Sequence, residues 1–522
     1  MQRLRIAFLL AAAGVCLLSL AAHAPLIDPD EGLHAAIAQE MLLRHDYVTP
    51  TFLGEPFLDK PILFFWTEAA SLKAFGMNET AVRLPPLLFG LLGAATVVLL
   101  GVAMFEPRAG YAAGIAYATM VVPVGVSEVA VHDVALVPFL LGACYGIWRL
   151  SKDGNLWTWS AVVGVSLGLS ILTKGLVGVA FAGLFGVAVV AFDRRALPRL
   201  CVAGIISAAV AAAVAAPWYI AMERAHPGYL HYYFVERHVE GYFTPTQRHA
   251  GRDWWYYIPI VIGGALPWLP FAVDRGASAA SVSSRRIVWT WFVAGLVFLS
   301  FGESKLATYV LPSFPAVALL IGERLSLPGA PRRASSVAFT VACALVPFAA
   351  ATAIAWRFPV NVVGLEVSAA IAAAIVLNVA ARTRGSVGDT RLIALAAMAF
   401  VSLAPVLLIA MPRAARWMSA KDLAAILNLR GSLPPRVLVL DERIGSVVFY
   451  LSPALRAEAT ADRFTDTTLP GVFARLRIES GDSILAVRAD QLPRLAKLVR
   501  TPLTPQAQSG VYSVFSLASL PR

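Results

Sequence analysis

The sequence predicts an α-helical polytopic membrane protein with a small α/β domain at its C-terminal end. Three observations carry this expectation. Of 522 residues, 58% are apolar and 14% are charged, against about half and about a quarter in an ordinary soluble domain. The mean hydropathy is +0.70. The apolar residues fall in long runs between short polar loops until about residue 412, where composition becomes ordinary.

A helix needs about 20 apolar residues to cross the hydrocarbon core. Runs of that kind lie near 5–24, 82–104, 109–126, 132–150, 156–173, 175–192, 200–220, 256–273, 287–302, 305–325, 334–356, 361–381 and 391–411, about thirteen spans. The first run ends Ala22-His23-Ala24, like a signal peptide. Cleavage there would leave Pro25 first, so retention as a span is expected. Cys16, Cys144, Cys201 and Cys343 fall in separate apolar runs, and no disulfide is expected.

The net charge of +11 is explained by topology rather than by nucleic acid, since no aromatic–basic reader motif is present. Arg3 and Arg5 precede the first span. Alternate loops then carry Arg108; Arg149 and Lys152; Arg194, Arg195 and Arg199; Arg275, Arg285 and Arg286; Arg324, Arg332 and Arg333; and Arg382, Arg384 and Arg391. Short loops rich in Arg and Lys stay in the cytoplasm. The N-terminus is therefore expected there, and an odd span number puts the C-terminus outside.

Three outer segments are large: 25–81, 221–255 and the tail. The division expected is a membrane domain over 1–411 and an outer α/β domain over 412–522. In the tail, 436–440 (RVLVL), 446–451 (SVVFYL) and 483–487 (SILAV) read as strands, and 419–429 and 490–500 as helices.

The ionisable residues that interrupt apolar sequence fall on the outer side. Asp28-Pro29-Asp30-Glu31 reads as a helix start, with Asp28 as N-cap and Glu31 closing a capping box. That account leaves Asp30 without a structural task, and ionisable groups at a membrane edge are functional candidates. Asp59-Lys60-Pro61 is a second polar island; it reads as a solvated pair or as a phosphate-binding lysine. His132-Asp133 opens the fourth span, as a cap or as a second working carboxylate. Lys174-Gly175 interrupts an apolar stretch, where the alternative is a snorkelling lysine.

Segment 221–255 holds His226, His231, His238 and His249 among acids, arginines and tyrosines. Aromatic residues of this kind commonly form an interface belt, and no tight spacing defines a metal site. Lys305 and Tyr309 are i, i+4 and share a helical face, as an interface anchor or as a phosphate contact. Nucleotide sugars are cytoplasmic, and no P-loop or dinucleotide fingerprint is present. An outer site would therefore take a lipid-linked donor, with basic residues on its phosphate and a carboxylate activating a hydroxyl.

These motifs resemble the dolichyl-phosphate-mannose–protein mannosyltransferase superfamily in its bacterial form, and most closely the lipid A aminoarabinose transferases. The likeness covers the membrane part: Asp30-Glu31, Asp59-Lys60-Pro61, His132-Asp133, Leu172-Thr173-Lys174-Gly175, Pro217-Trp218-Tyr219, the stretch 232–238 and the stretch 305–312. Each motif is short, but their order and their common outer face make the set specific.

The resemblance implies a GT-C fold and inverting sugar transfer from an undecaprenyl-phosphate donor to lipid A or another envelope glycolipid in the bacterial inner membrane. It implies Asp30 as the principal carboxylate, with Glu31 beside it and Asp133 as the second. Lys60, Tyr309, Lys305, Arg237 and Lys174 would hold the carrier phosphate. A divalent metal would bridge Asp59 to His238 or His249. Two departures stand out: Leu33 occupies the position of an expected arginine, and Asp59 that of a glutamate. Protein O-mannosyl transfer is the alternative within the class, and a polymer ligase stands behind it. A transporter is the alternative outside the class, but its ionisable residues would lie at the midplane on broken helices.

Overall fold

The computed structural model describes residues 1–244, 251–274, 282–327, 332–440, 444–468, 471, 482–499 and 504–519. Every apolar run marked from the sequence is helical along most of its length. Lipid offers no hydrogen bonds, so a spanning backbone must satisfy its own groups. Among the described residues, nine helices are long and apolar enough to cross a membrane.

Four expected spans are shorter or broken. Helices Pro107–Ala118 and Val121–Ser127 meet at a bend of 62°. The break is held by long-range partners: the Val121 N–H donates to the Leu266 carbonyl at 3.1 Å, and the Trp268 indole donates to the Thr119 hydroxyl at 2.9 Å. Run 256–273 divides into Tyr257–Gly264 and Leu269–Ala272. Run 305–325 opens with a 3-10 turn, Ala307–Ser313, before helix Phe314–Ser326. Helix Val177–Phe192 is whole but has only 16 residues.

Small residues bring the helices close, as apolar helices in lipid require. A Cβ on Gly164 or Gly168 would stand 2.5 or 2.6 Å from the Cβ of Val210 or Val214. Ion pairs join several of the arginine-bearing loops to one another. The Met1 amine and Arg108 both reach Asp389, at 3.6 and 4.0 Å, and Asp274 takes Arg324 and Arg332 at 3.3 and 3.5 Å.

The C-terminal region contains a five-stranded sheet in the order Phe464–Thr467, Val437–Leu440, Ile484–Arg488, Tyr512–Ser516, Ala507–Ser509. The first three strands are parallel, with Val437 opposite Phe464 and Ile484, and the last two are antiparallel. Leu438, Leu440, Leu485, Val487, Leu495 and Phe515 form its own core. Helices Lys421–Arg430 and Leu492–Val499 fall where expected. Stretch 446–451 does not: it is not a strand but most of helix Gly445–Tyr450, packed on the helix that begins at Asp30.

Candidate active site

The segment after the first span carries helix Asp30–Arg44, with Asp30 and Glu31 in the first turn, where the helix dipole favours negative charge. The capping box expected there does not form. Pro29 is the N-cap. Asp28 accepts the Ser446 backbone N–H at 2.9 Å and the Ser446 hydroxyl. Glu31 is fully buried; it takes the Arg83 guanidinium through both oxygens at 2.8 Å and the Ile27 N–H at 2.8 Å. Tertiary partners outbid the local cap and leave Asp30 as the half-buried carboxylate of that turn.

Asp133 sits in the first turn of helix His132–Ser151, and Lys174 ends helix Leu156–Lys174. Both charges suit their helix ends. They form an ion pair, and the Lys174 ammonium lies 4.2 Å from the centre of the Tyr309 ring. Lys174, Asp133, Arg237 and Asp30 all act electrostatically on the Tyr309 phenol.

His34, one turn beyond Asp30, hydrogen-bonds the Ala130 carbonyl through Nδ1 at 2.8 Å and stacks edge-on to His132 at 4.7 Å. A carbonyl only accepts, so Nδ1 carries a proton. Burial holds the His34 pKa below the usual histidine range, against the pull of Asp30 and Asp133 and with the help of Lys60. Lys60 acts on His34, His132 and His238 alike. It has no ion-pair or hydrogen-bond partner among the described residues.

Beside Asp59 lies a π-helix, His231–Glu240, a form that recurs at functional sites. Asp59 accepts from the Tyr232 hydroxyl at 2.5 Å and pairs with Arg237 at 3.1 Å. Burial and the bond to Asp59 push the Tyr232 phenol up to about 12. His238 contacts the Tyr233 carbonyl through Nδ1 at 2.7 Å, and its Nε2 accepts the Leu176 N–H at 3.3 Å. Burial holds its pKa down.

These partners do not fit a metal. Both oxygens of Asp59 and both nitrogens of His238 are engaged, and His249 lies outside the described residues. Among the described residues no three His, Cys, Asp or Glu side chains gather as a ligand set.

Below this cluster lies an apolar cavity of about 790 Å³ between helices Leu156–Lys174, Val177–Phe192 and Leu197–Ala225. Leu176, Tyr219 and Phe234 belong both to its wall and to the neighbourhood of His238. The apolar groove thus shares wall residues with the surroundings of His238, on which Lys60 and Arg237 act electrostatically.

A family model described as dolichyl-phosphate-mannose-protein mannosyltransferase matches residues 59–220. An undecaprenyl phosphate-alpha-4-amino-4-deoxy-L-arabinose arabinosyl transferase of Aeromonas salmonicida is 32% identical over 305 residues, 57% of this chain and 55% of its own length. The match therefore spans just over half of such relatives. ArnT from Cupriavidus metallidurans, crystallised with undecaprenyl phosphate, superposes with a TM-score of 0.77 at 22% identity, covering 98% of each chain. The chain has the GT-C fold. The archaeal oligosaccharyltransferase AglB from Archaeoglobus fulgidus, in complex with an inhibitory peptide and a dolichol-phosphate, is a more distant likeness. Its TM-score is 0.50 at 12% identity, over 98% of this chain and 75% of its own.

In this GT-C chain, Asp30, Asp133, Lys60, Lys174, Arg237 and Tyr309 fall within electrostatic range of shared neighbours. Glu31 is drawn away into the Arg83 pair. Lys305 is buried, and its ammonium donates to the Arg252 carbonyl at 3.1 Å. Sequence reasoning passed over Arg83, His34 and the Tyr232–Asp59 bond. Arg83 carried a usable signal, an arginine at the start of an apolar span. Tyr232 carried none beyond its aromatic neighbours.

Proposed function

We propose that the chain is an inverting glycosyltransferase of the bacterial inner membrane. It moves a sugar of the 4-amino-4-deoxy-L-arabinose type from an undecaprenyl-phosphate carrier to lipid A or a related envelope glycolipid. One observation carries the reading: carboxylates Asp30 and Asp133 share an electrostatic neighbourhood with Lys60, Lys174, Arg237 and Tyr309, beside His238, whose neighbours Leu176 and Phe234 line an apolar groove. The named activity of the Aeromonas salmonicida relative and the ligand of the Cupriavidus metallidurans structure support it.

The groove takes the polyprenyl chain, and the cations take the phosphate. Asp30 accepts the proton of the acceptor hydroxyl while that oxygen attacks the anomeric carbon from the face opposite the phosphate. The bond from that carbon to the phosphate oxygen breaks, and its electron pair leaves with undecaprenyl phosphate. Lys60, Lys174, Arg237 and the Tyr309 hydroxyl stabilise the charge that grows on the leaving oxygen. Asp133 holds Lys174 in place.

The nine long helices, with the four shorter or broken ones, support about thirteen crossings. The arginine-bearing loops face the cytoplasm with the N-terminus, and the site and the domain over 412–522 face the periplasm. The family model's description supports a second reading, transfer to a protein hydroxyl from the same class of donor.

Mass spectrometry of envelope lipids separates the readings. Strains lacking the protein, carrying it, or carrying Asp30→Asn are compared. A sugar mass on lipid A in the wild-type strain alone supports the first reading. Unchanged lipid A with sugar missing from secreted proteins overturns it in favour of the second.

A further inference from the structure

The helix that starts at Asp30 is gripped at the level of its main chain by the C-terminal domain. Asp28 is buried and bonds both the N–H and the hydroxyl of Ser446. The same Ser446 Oγ accepts the Ala420 N–H at 2.8 Å. On the other side of Asp30, Gly32 meets Gly445 without side chains between them. A Cβ on Gly32 would stand 2.4 Å from the Ser446 nitrogen, and one on Gly445 would stand 2.2 Å from the Leu33 nitrogen. Backbone would have to move for either.

Further contacts extend the grip. The Leu26 N–H donates to the Tyr450 hydroxyl at 2.8 Å. Tyr450 donates to Glu79 at 2.9 Å, and Glu79 pairs with Lys421 at 2.6 Å. Gln39 is fully buried and donates to the Phe449 carbonyl at 3.4 Å. Residues 26, 28, 32 and 39 are therefore all held by residues between 445 and 450, while Arg83 holds Glu31 from the membrane domain. Asp30 is flanked on both sides by fixed neighbours.

We propose that Gly445 and Ser446 are positioning residues, and that the C-terminal domain sets where the Asp30 carboxylate stands. The proposal rests on the reading of Asp30 as the base. A base must lie within hydrogen-bond reach of the hydroxyl it serves, and a displacement of about 1 Å lowers a rate by about a hundredfold. Gly445 permits the contact, and the Asp28–Ser446 bonds fix the start of the helix along its own axis.

The test uses the full chain in lipid nanodiscs, an undecaprenyl-phosphate aminoarabinose donor and lipid A. Gly445→Ala and Ser446→Ala are compared with wild type for kcat, donor KM and hydrogen exchange over 26–44. The expected result is a kcat lower by about tenfold or more, a donor KM within about twofold, and faster exchange in 26–44 in folded protein. Wild-type kcat with loosened exchange overturns the proposal, and so does a raised KM at unchanged kcat, which would make the domain a substrate-binding module. Ser446→Ala keeps the N–H bond to Asp28, so it reads the same outcome if Gly445→Ala does not fold. If wild type transfers nothing, the transfer reading has failed, and exchange alone then reads the brace: unchanged exchange in both variants overturns it.

Discussion

The ammonium of Lys174 lies 4.2 Å from the centre of the Tyr309 ring while it is ion-paired with Asp133. On the proposed reading the phenol has two tasks: its ring steadies the lysine, and its hydroxyl would contact the carrier phosphate. Tyr309→Phe removes only the second, and Tyr309→Leu removes both. Steady-state transfer is expected to lose about tenfold in kcat/KM for Phe and about a hundredfold for Leu, since a cation–π contact and a hydrogen bond to a charged group are each worth about 1–2 kcal/mol. Equal losses in the two variants would remove the ring from the account.

Arg83 and Glu31 form a buried pair, with side chains 9% and 0% exposed. Losing one partner leaves the other charge buried alone, which destabilises by about 3–5 kcal/mol. Arg83→Leu is expected to lower the melting temperature sharply in detergent, and Glu31→Gln less, because the amide still accepts from the guanidinium. If Arg83→Leu melts like wild type, the pair is not holding the loop.

The cluster was legible where short islands of ionisable residues interrupt apolar sequence. Asp30, Lys60, Asp133 and Lys174 stand out on that ground, because lipid makes each of them costly without a task. What was not legible depends on partners far away in the chain. Stretch 446–451 has two β-branched valines and a run of apolar residues, which suits a buried strand as well as a helix. Its helical form is tied to Asp28, 418 residues away, which accepts its first N–H. The same bond removed Asp28 from the capping box that local sequence favoured. The bend after Ala118 likewise depends on Leu266 and Trp268, which no local pattern announces.

Asp59 is held by Tyr232 at 2.5 Å and Arg237 at 3.1 Å, so protein groups already join segment 25–81 to the π-helix His231–Glu240. Chelation by EDTA is expected to leave the transfer rate within about twofold, since among the described residues no open ligand set competes for an ion. Tyr232→Phe should raise donor KM by releasing Arg237 from its fixed place. A rate restored by added zinc or manganese after chelation would count against this.

Glu128 accepts a hydrogen bond from Ser19 and lies near Arg83 and Glu31. Burial raises its pKa from 4.5 to about 7, against the Ser19 bond and Arg83, which lower it. In the folded protein it keeps a proton that the unfolded chain releases above about 4.5. Unfolding therefore releases a proton between those values, and rising pH favours the unfolded state. The contribution of Glu128 is fully present below pH 4.5 and is lost by about pH 7, at no more than about 1.4 kcal/mol per pH unit. Glu128→Gln keeps the acceptor for Ser19 and cannot ionise. Its melting temperature should equal that of wild type at low pH and exceed it by a growing margin as pH approaches 7. Parallel curves across that window would mean that Glu128 titrates alike in both states.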